Sequence, residues 1–257
     1  MKRPVTRRAF TILLAASIVS ALSAALLAAT VPAAHAANPN PGVIPPGASP
    51  YGTSYGNWGA AWWTWAYGIP PDENPVLDPD GTYCDVGQSG SVWFLAGTFG
   101  AEAQRSCTTP AGKGIFFPIL DVLWFAPDDL TDALWLAETF ELAEDPSSLS
   151  DEDLLALVAD WHLSYVVEDS LTVNVDGVEF EDLESYRAQS DPFDFYMRLR
   201  EPQAAKGPAI SDGYWIMLAP LSVGEHTVEF GGIMDLKPFD IYSEIHVSYD
   251  LDIVPHG

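Results

Sequence analysis

Leu171-Thr172-Val173-Asn174-Val175-Asp176-Gly177-Val178-Glu179-Phe180 is the stretch from which the fold is read. Leu171, Val173 and Val175 alternate with Thr172 and Asn174, the period of a strand with one buried and one wet face. Asp176-Gly177 is a dipeptide selected by two-residue hairpin turns, whose central residues need positive φ. Val178-Glu179-Phe180 then returns as the partner strand. Outward from this hairpin, Tyr214–Leu218, Glu225–Phe230 and Ile241–Val254 read as further strands separated by Pro and Gly. Upstream, Ser91–Gly97 (SVWFLAG) is one strand and Gly114–Trp124 (GIFFPILDVLW) another, interrupted at Pro118. Cys107 to Lys113 reads as the turn between them. Short strands with turns at this spacing predict a mainly β protein, an antiparallel β-sandwich of jelly-roll or immunoglobulin-like kind.

Helices decorate this frame. Tyr55 to Tyr67 is the first, with Thr53 or Ser54 to cap its start and Gly68 before Pro70-Pro71 to end it. Tyr55, Trp58, Trp62 and Trp65 fall on one stripe, and Trp63 and Tyr67 lie beside it. The stripe is expected to pack on the sheet, leaving Trp63 and Tyr67 nearer the edge, within reach of a ligand. Asp128–Glu144 and Asp151–His162 read as two more helices, an insertion over about residues 128–162. Ser150 and Asp153 supply a capping box for the second, with Leu154, Leu157, Val158 and Trp161 as its apolar face.

Residues 1–36 have the three-part plan of an export signal: Lys2, Arg3, Arg7 and Arg8, an Ala/Leu-rich run from Ala9 to Thr30, and the small-residue site Ala34-His35-Ala36. Thr6-Arg7-Arg8-Ala9-Phe10 also looks like a twin-arginine signal, except at Thr11, so both the folded and the general export routes stay open. The run is long enough to span a bilayer, but its Ala/Ser content and the cleavage site favour removal over retention as an anchor. Residues 37–53, rich in Pro and Gly, read as a linker, and residues 54–257 as a single domain. The expected location is outside the cytoplasm, extracellular or periplasmic, with no membrane span once the signal is gone. Losing residues 1–36 removes four basic and no acidic residues, so the net charge moves from −25 to −29. Such a surface repels phosphate backbones and anionic lipids, which excludes nucleic acid as a partner class and leaves neutral molecules, cations or basic surfaces. Composition does not define the oligomeric state.

Cys84 and Cys107 are the two cysteines of the chain, and an even pair in an exported protein is most simply a disulfide. The aromatic helix with Asn74-Pro75 and Cys84, the piece Ser91–Gly97, and Cys107 followed by Pro110-Ala111-Gly112-Lys113 and Phe116-Phe117-Pro118 resemble a group of exported bacterial proteins of unknown function. Val175-Asp176-Gly177 with Tyr186-Arg187, and Pro220-Leu221 with Gly224-Glu225-His226-Thr227, are similar to its C-terminal part. The resemblance implies a β-sandwich-like fold and carries no catalytic residues.

The residues themselves offer weak chemistry. No HExxH motif is present, and Gly112-Lys113-Gly114 lacks the rest of a phosphate loop. His226 shares parity with Val228 and Phe230, whereas His246 points away with Ser248 and Asp250, so the two are not expected to share a metal. His226 reads best as a hydrogen-bonded strand residue near a turn. Asp121 interrupts the apolar run Ile115–Trp124; held there, its carboxyl would have a raised pKa and could serve as a general acid. Asp78, Asp80 and Asp85 cluster hard oxygens as in a fragment of a calcium loop, or as a plain Asp/Gly turn. No cofactor is expected. The leading expectation is a non-catalytic ligand- or surface-binding protein, with Trp63 and Tyr67 stacking on carbohydrate or another neutral ligand. The alternatives are a secreted glycan hydrolase using paired carboxylates, and a structural surface protein.

Overall fold

Among the residues described by the computed structural model (42–100, 102–199 and 204–255), ten strands form two five-stranded sheets. With strands numbered in chain order, the first sheet runs β1 (Val92–Phe94), β3 (Gly114–Phe125) and β8 (Ala204–Leu218), with β6 (Arg187–Gln189) and β7 (Phe193–Met197) both pairing with β8. The second runs β2 (Glu102–Pro110), β10 (Ile241–Val254), β9 (Gly224–Leu236), β4 (Thr172–Val175) and β5 (Val178–Glu179). The expected signal peptide, residues 1–36, lies outside the described residues.

A mainly β, sandwich-like fold with added helices is thus what the chain adopts. The sheets are mixed rather than purely antiparallel, because β1 pairs with β3, and β2 with β10, in parallel. The reason is topological: hairpins make antiparallel neighbours, but β1 reaches β3 through β2, which belongs to the opposite sheet, so the chain returns in its original direction. The β4–β5 hairpin forms as its sequence requires, with Asp176 at φ 54° and Gly177 at φ 78°.

β3 is apolar along most of its length because both of its faces are covered. Phe117 stacks on Phe230 of β9 at 4.6 Å between the sheets, while Phe116 stacks on Trp215 of β8 at 5.4 Å on the outer side. The outer side is roofed by α1 (Tyr55–Gly68). A bulge between Pro118 and Leu120 then shifts the register, which reverses the facing of every later residue. Leu120 accordingly lies against Gly232 of β9, and Asp121 turns under the α1 side, beside Gly213 and Trp215. Beyond the bulge, Val122 and Ile210 join a second core with α2 (Leu130–Thr139) and α3 (Asp151–Leu163). The Ser150 hydroxyl caps α3, accepting from Asp153 N–H at 3.1 Å and donating to the Asp153 carboxylate at 2.7 Å.

Two features correct the sequence reading of the connections. The stretch read as a linker is anchored from residue 42: Val43 is buried and bridges to Leu218, and Ile44 N–H donates to Met217 C=O at 2.8 Å. Cys107 to Pro110, read as a turn, belongs to strand β2. Its inward residues are Ala103, Arg105, Cys107 and Thr109, so no alternation of large apolar side chains announces it.

Arg105 is buried, and its guanidinium is solvated by protein. Nε donates to Asp78 C=O at 2.8 Å, and Nη1 to Ala96 C=O, Gly97 C=O and Tyr249 Oη at 2.7, 3.0 and 3.0 Å. A buried cation is tolerable only with its donors satisfied. Here they nail the irregular connector of residues 76–97 to β2 and β10. The Cys84–Cys107 disulfide, with Cα atoms 5.9 Å apart, adds a covalent tie at the same seam.

Candidate functional site

α1 is unusually rich in rings, and glycines let it lie close to the sheet. A Cβ at Gly59 would stand 2.7 Å from the Trp215 ring, and one at Gly56 would collide with the Gln189 carbonyl. Each interior glycine costs a helix about 1 kcal/mol relative to alanine. In exchange the backbone approaches so near that the large side chains splay to either side. Trp62 and Trp65 go one way, their ring N–H groups donating to Leu95 C=O and Val86 C=O at 2.9 Å each. Trp63 goes the other way and stacks on Tyr67 at 5.1 Å.

Between α1 and the segment 87–92 this leaves a groove of about 670 Å³. Trp58, Trp65 and Phe94 form its aromatic surface, with Trp58 and Phe94 half-buried. Ala61, Thr64 and Gly68 line the helix side; Gly87, Ser89, Gly90 and Ser91 line the other. Large rings below and small or hydroxyl-bearing residues on the rims give a slot with polar edges. Trp58 Nε1 is already committed to Pro50 C=O at 3.0 Å, so an incoming molecule would meet ring faces and edges. Exposed Tyr51 stands edge-on to Trp58 at 6.4 Å and extends the aromatic surface.

Trp63 and Tyr67 do not lie at the edge as expected. They are 7% and 6% exposed, and Tyr67 packs against Phe195 of β7 at 5.8 Å. β7 carries the sheet further under the helix than its sequence suggested, so the second stripe has a floor of its own. The accessible aromatic of α1 is Trp58, which the stripe analysis assigned to the core. The glycine and serine wall opposite it has no sequence periodicity by which it could have been found.

Elsewhere, His226 takes part in a constellation the sequence did not reveal. Its Nδ1 lies 2.7 Å from Asp176 Oδ2, and its Nε2 lies 3.2 Å from Ser222 Oγ. The order Ser–His–Asp invites comparison with a nucleophilic triad. Yet Nε2 also lies 2.9 Å from the carbonyl of Ser222 itself. Nε2 thus lies nearer the Ser222 carbonyl than its hydroxyl, which is not the clean Oγ–Nε2 pairing a nucleophile and its base require. Asp176 also accepts from Thr227 N–H at 2.8 Å, so the cluster joins the β4–β5 turn to the β8–β9 connection. It is a lock between two turns, in keeping with the reading of His226 as a bonded strand residue. His246 is exposed, on the opposite face of its sheet from His226's neighbour Leu251.

Asp121 has Oδ2 enclosed with no hydrogen-bond partner, and burial pushes its carboxyl up to about 8. Ser211 Oγ and Trp63 Nε1, both beneath α1, are likewise buried without partners. In the Asp78-Pro79-Asp80-Gly81 turn, the carboxylates serve the loop: Asp78 accepts from Asp80 and Tyr83 N–H at 3.1 and 2.8 Å, and Asp80 from Thr82 N–H at 3.0 Å. Asp85 is exposed and apart. Among the described residues, no group of three or more His, Cys, Asp or Glu is placed to hold a metal ion, and no helix is long and apolar enough to cross a membrane. No protein-family model, curated protein or solved structure matches the chain.

Proposed function

We propose that the protein is an exported binding protein whose aromatic groove takes a neutral, ring-containing ligand, with carbohydrate as the leading class. The observation that carries this reading is the groove itself: accessible faces of Trp58 and Phe94 beside Thr64, Ser89 and Ser91. Sugar rings offer an apolar face for stacking and hydroxyls for polar rims, which is the complement of this lining. Glycan hydrolysis is the weaker reading, because it requires two carboxyl groups flanking the scissile bond, and among the described residues no carboxylate lines the groove. The strongly negative chain also disfavours anionic ligands. Titration calorimetry with neutral gluco- and chito-oligosaccharides tests the proposal. Binding that is lost in Trp58→Ala and kept in Trp135→Ala supports it. Unchanged binding in Trp58→Ala, or no binding to either series, refutes it.

A further inference from the structure

A second aromatic surface lies apart from the groove and shares no lining residue with it. Trp135 of α2 is 51% exposed, Phe239 37% and Ile241 52%. The two rings are held in place rather than dangling. Phe239 rests against Trp135 at 6.1 Å, Phe140 at 6.0 Å and Trp161 at 6.2 Å, and Phe140 in turn packs on Trp161 at 4.7 Å. The short helical turn Lys237–Phe239 ends at Asp240, with φ 54°, and leads into β10, where Ile241 pairs with Leu236 and shares the face that Leu236 turns to the α2/α3 core. A rigid group of large exposed apolar side chains is the mark of an interaction surface.

The charges around it select the occupant. Asp132 and Glu138 stand three residues to either side of Trp135, hence on its face of α2. Asp240 follows Phe239 directly, and Lys237 leans away on Asp235 at 3.9 Å. Among the described residues, Asp132, Glu138 and Asp240 therefore set three carboxylates beside the rings. A second copy of this chain would bring the same acidic rim and a net charge of −25, and an anionic bilayer would also be repelled. We infer that this surface docks a cationic amphipathic segment of a partner protein, its apolar side on Trp135, Phe239 and Ile241 and its Lys or Arg side chains over the carboxylates. Coulomb complementarity of this kind fixes register and speeds encounter.

The test uses two helical probe peptides with the same leucine face, one with lysine and one with glutamate on the polar face, titrated into the exported protein by calorimetry. The lysine peptide should bind, at least about tenfold more tightly than the glutamate peptide, and should weaken as salt rises. Trp135→Ala and Phe239→Ala should each weaken it by about tenfold or more, whereas Trp58→Ala, in the separate groove, should leave it unchanged. Circular dichroism melts confirm that the exposed-residue variants remain folded. No binding of the lysine peptide, binding that survives both substitutions, or sedimentation showing the surface closed in a dimer of the chain overturns the inference.

Discussion

Asp121→Asn should change how stability depends on pH, and the structure gives the size of the change. In the folded protein the Asp121 carboxyl titrates at about 8 because burial opposes its charge; in the unfolded chain it titrates near the ordinary carboxyl value of 3.8. The folded form thus holds a proton that the unfolded form has released. Stability from this group is complete below the unfolded pKa and drains away as pH rises toward 8. Each pH unit in that window is worth about 1.4 kcal/mol, so from pH 6.5 to 8 the loss is about 1.5–2 kcal/mol, the folded carboxyl beginning to ionise at the top. Asparagine has the same shape and no titration, so any fixed cost of its amide shifts the whole curve without tilting it. Urea unfolding followed by tryptophan fluorescence, at constant ionic strength across this range, reads the effect directly. The wild-type midpoint should fall with pH relative to that of Asp121→Asn. Parallel midpoints would show that the carboxyl reaches water, and the reasoning from its enclosure would fail.

His162 gives the opposite trend. Burial beside Trp124 holds its pKa down to about 4, so its share of stability is present above the unfolded value of 6.5 and lost as pH falls toward 4; His162→Gln should flatten the acid limb of the same curves. Trp62→Ala should destabilise by about 3–5 kcal/mol in chemical denaturation, as expected for a buried aromatic, and Trp63→Ala should cost a similar amount because it too is enclosed. Replacing Cys84 and Cys107 together by serine should cost about 3 kcal/mol through the freed loop, and the intact protein should resist alkylation without reductant.

The sequence disclosed most where a local rule has one outcome. Asp176-Gly177 between alternating strands could hardly form anything but a hairpin, and Ser54 and Ser150 cap the helices they precede. It disclosed least where burial is achieved by residues that do not look buried. β2 turns Ala103, Arg105, Cys107 and Thr109 inward, so its alternation is invisible on a hydrophobicity scale. The faces of α1 were misassigned for a related reason. A helix wheel shows which rings share a side, but not that β7 and β8 extend beneath the second side. The groove adds a third obstacle, since one rim of it is Gly87, Ser89, Gly90 and Ser91, whose importance lies in what their small size leaves open.

The setting of Arg105 has a consequence for the order in which the chain can assemble. Its hydrogen bonds reach back to Asp78 and forward to Tyr249, and the strand that carries it has its neighbour, β10, at the far end of the sequence. During synthesis β2 emerges long before β10 and has nothing to pair with. Until the last strand arrives, the guanidinium lacks its Tyr249 partner and β2 lacks the neighbouring strand that encloses it. The second sheet therefore closes late and nearly all at once, a high-contact-order step of the kind that folds slowly. Release of β10 would undo the same seam, so a cut in the final strand should loosen residues 76–97 even though they lie far away along the chain.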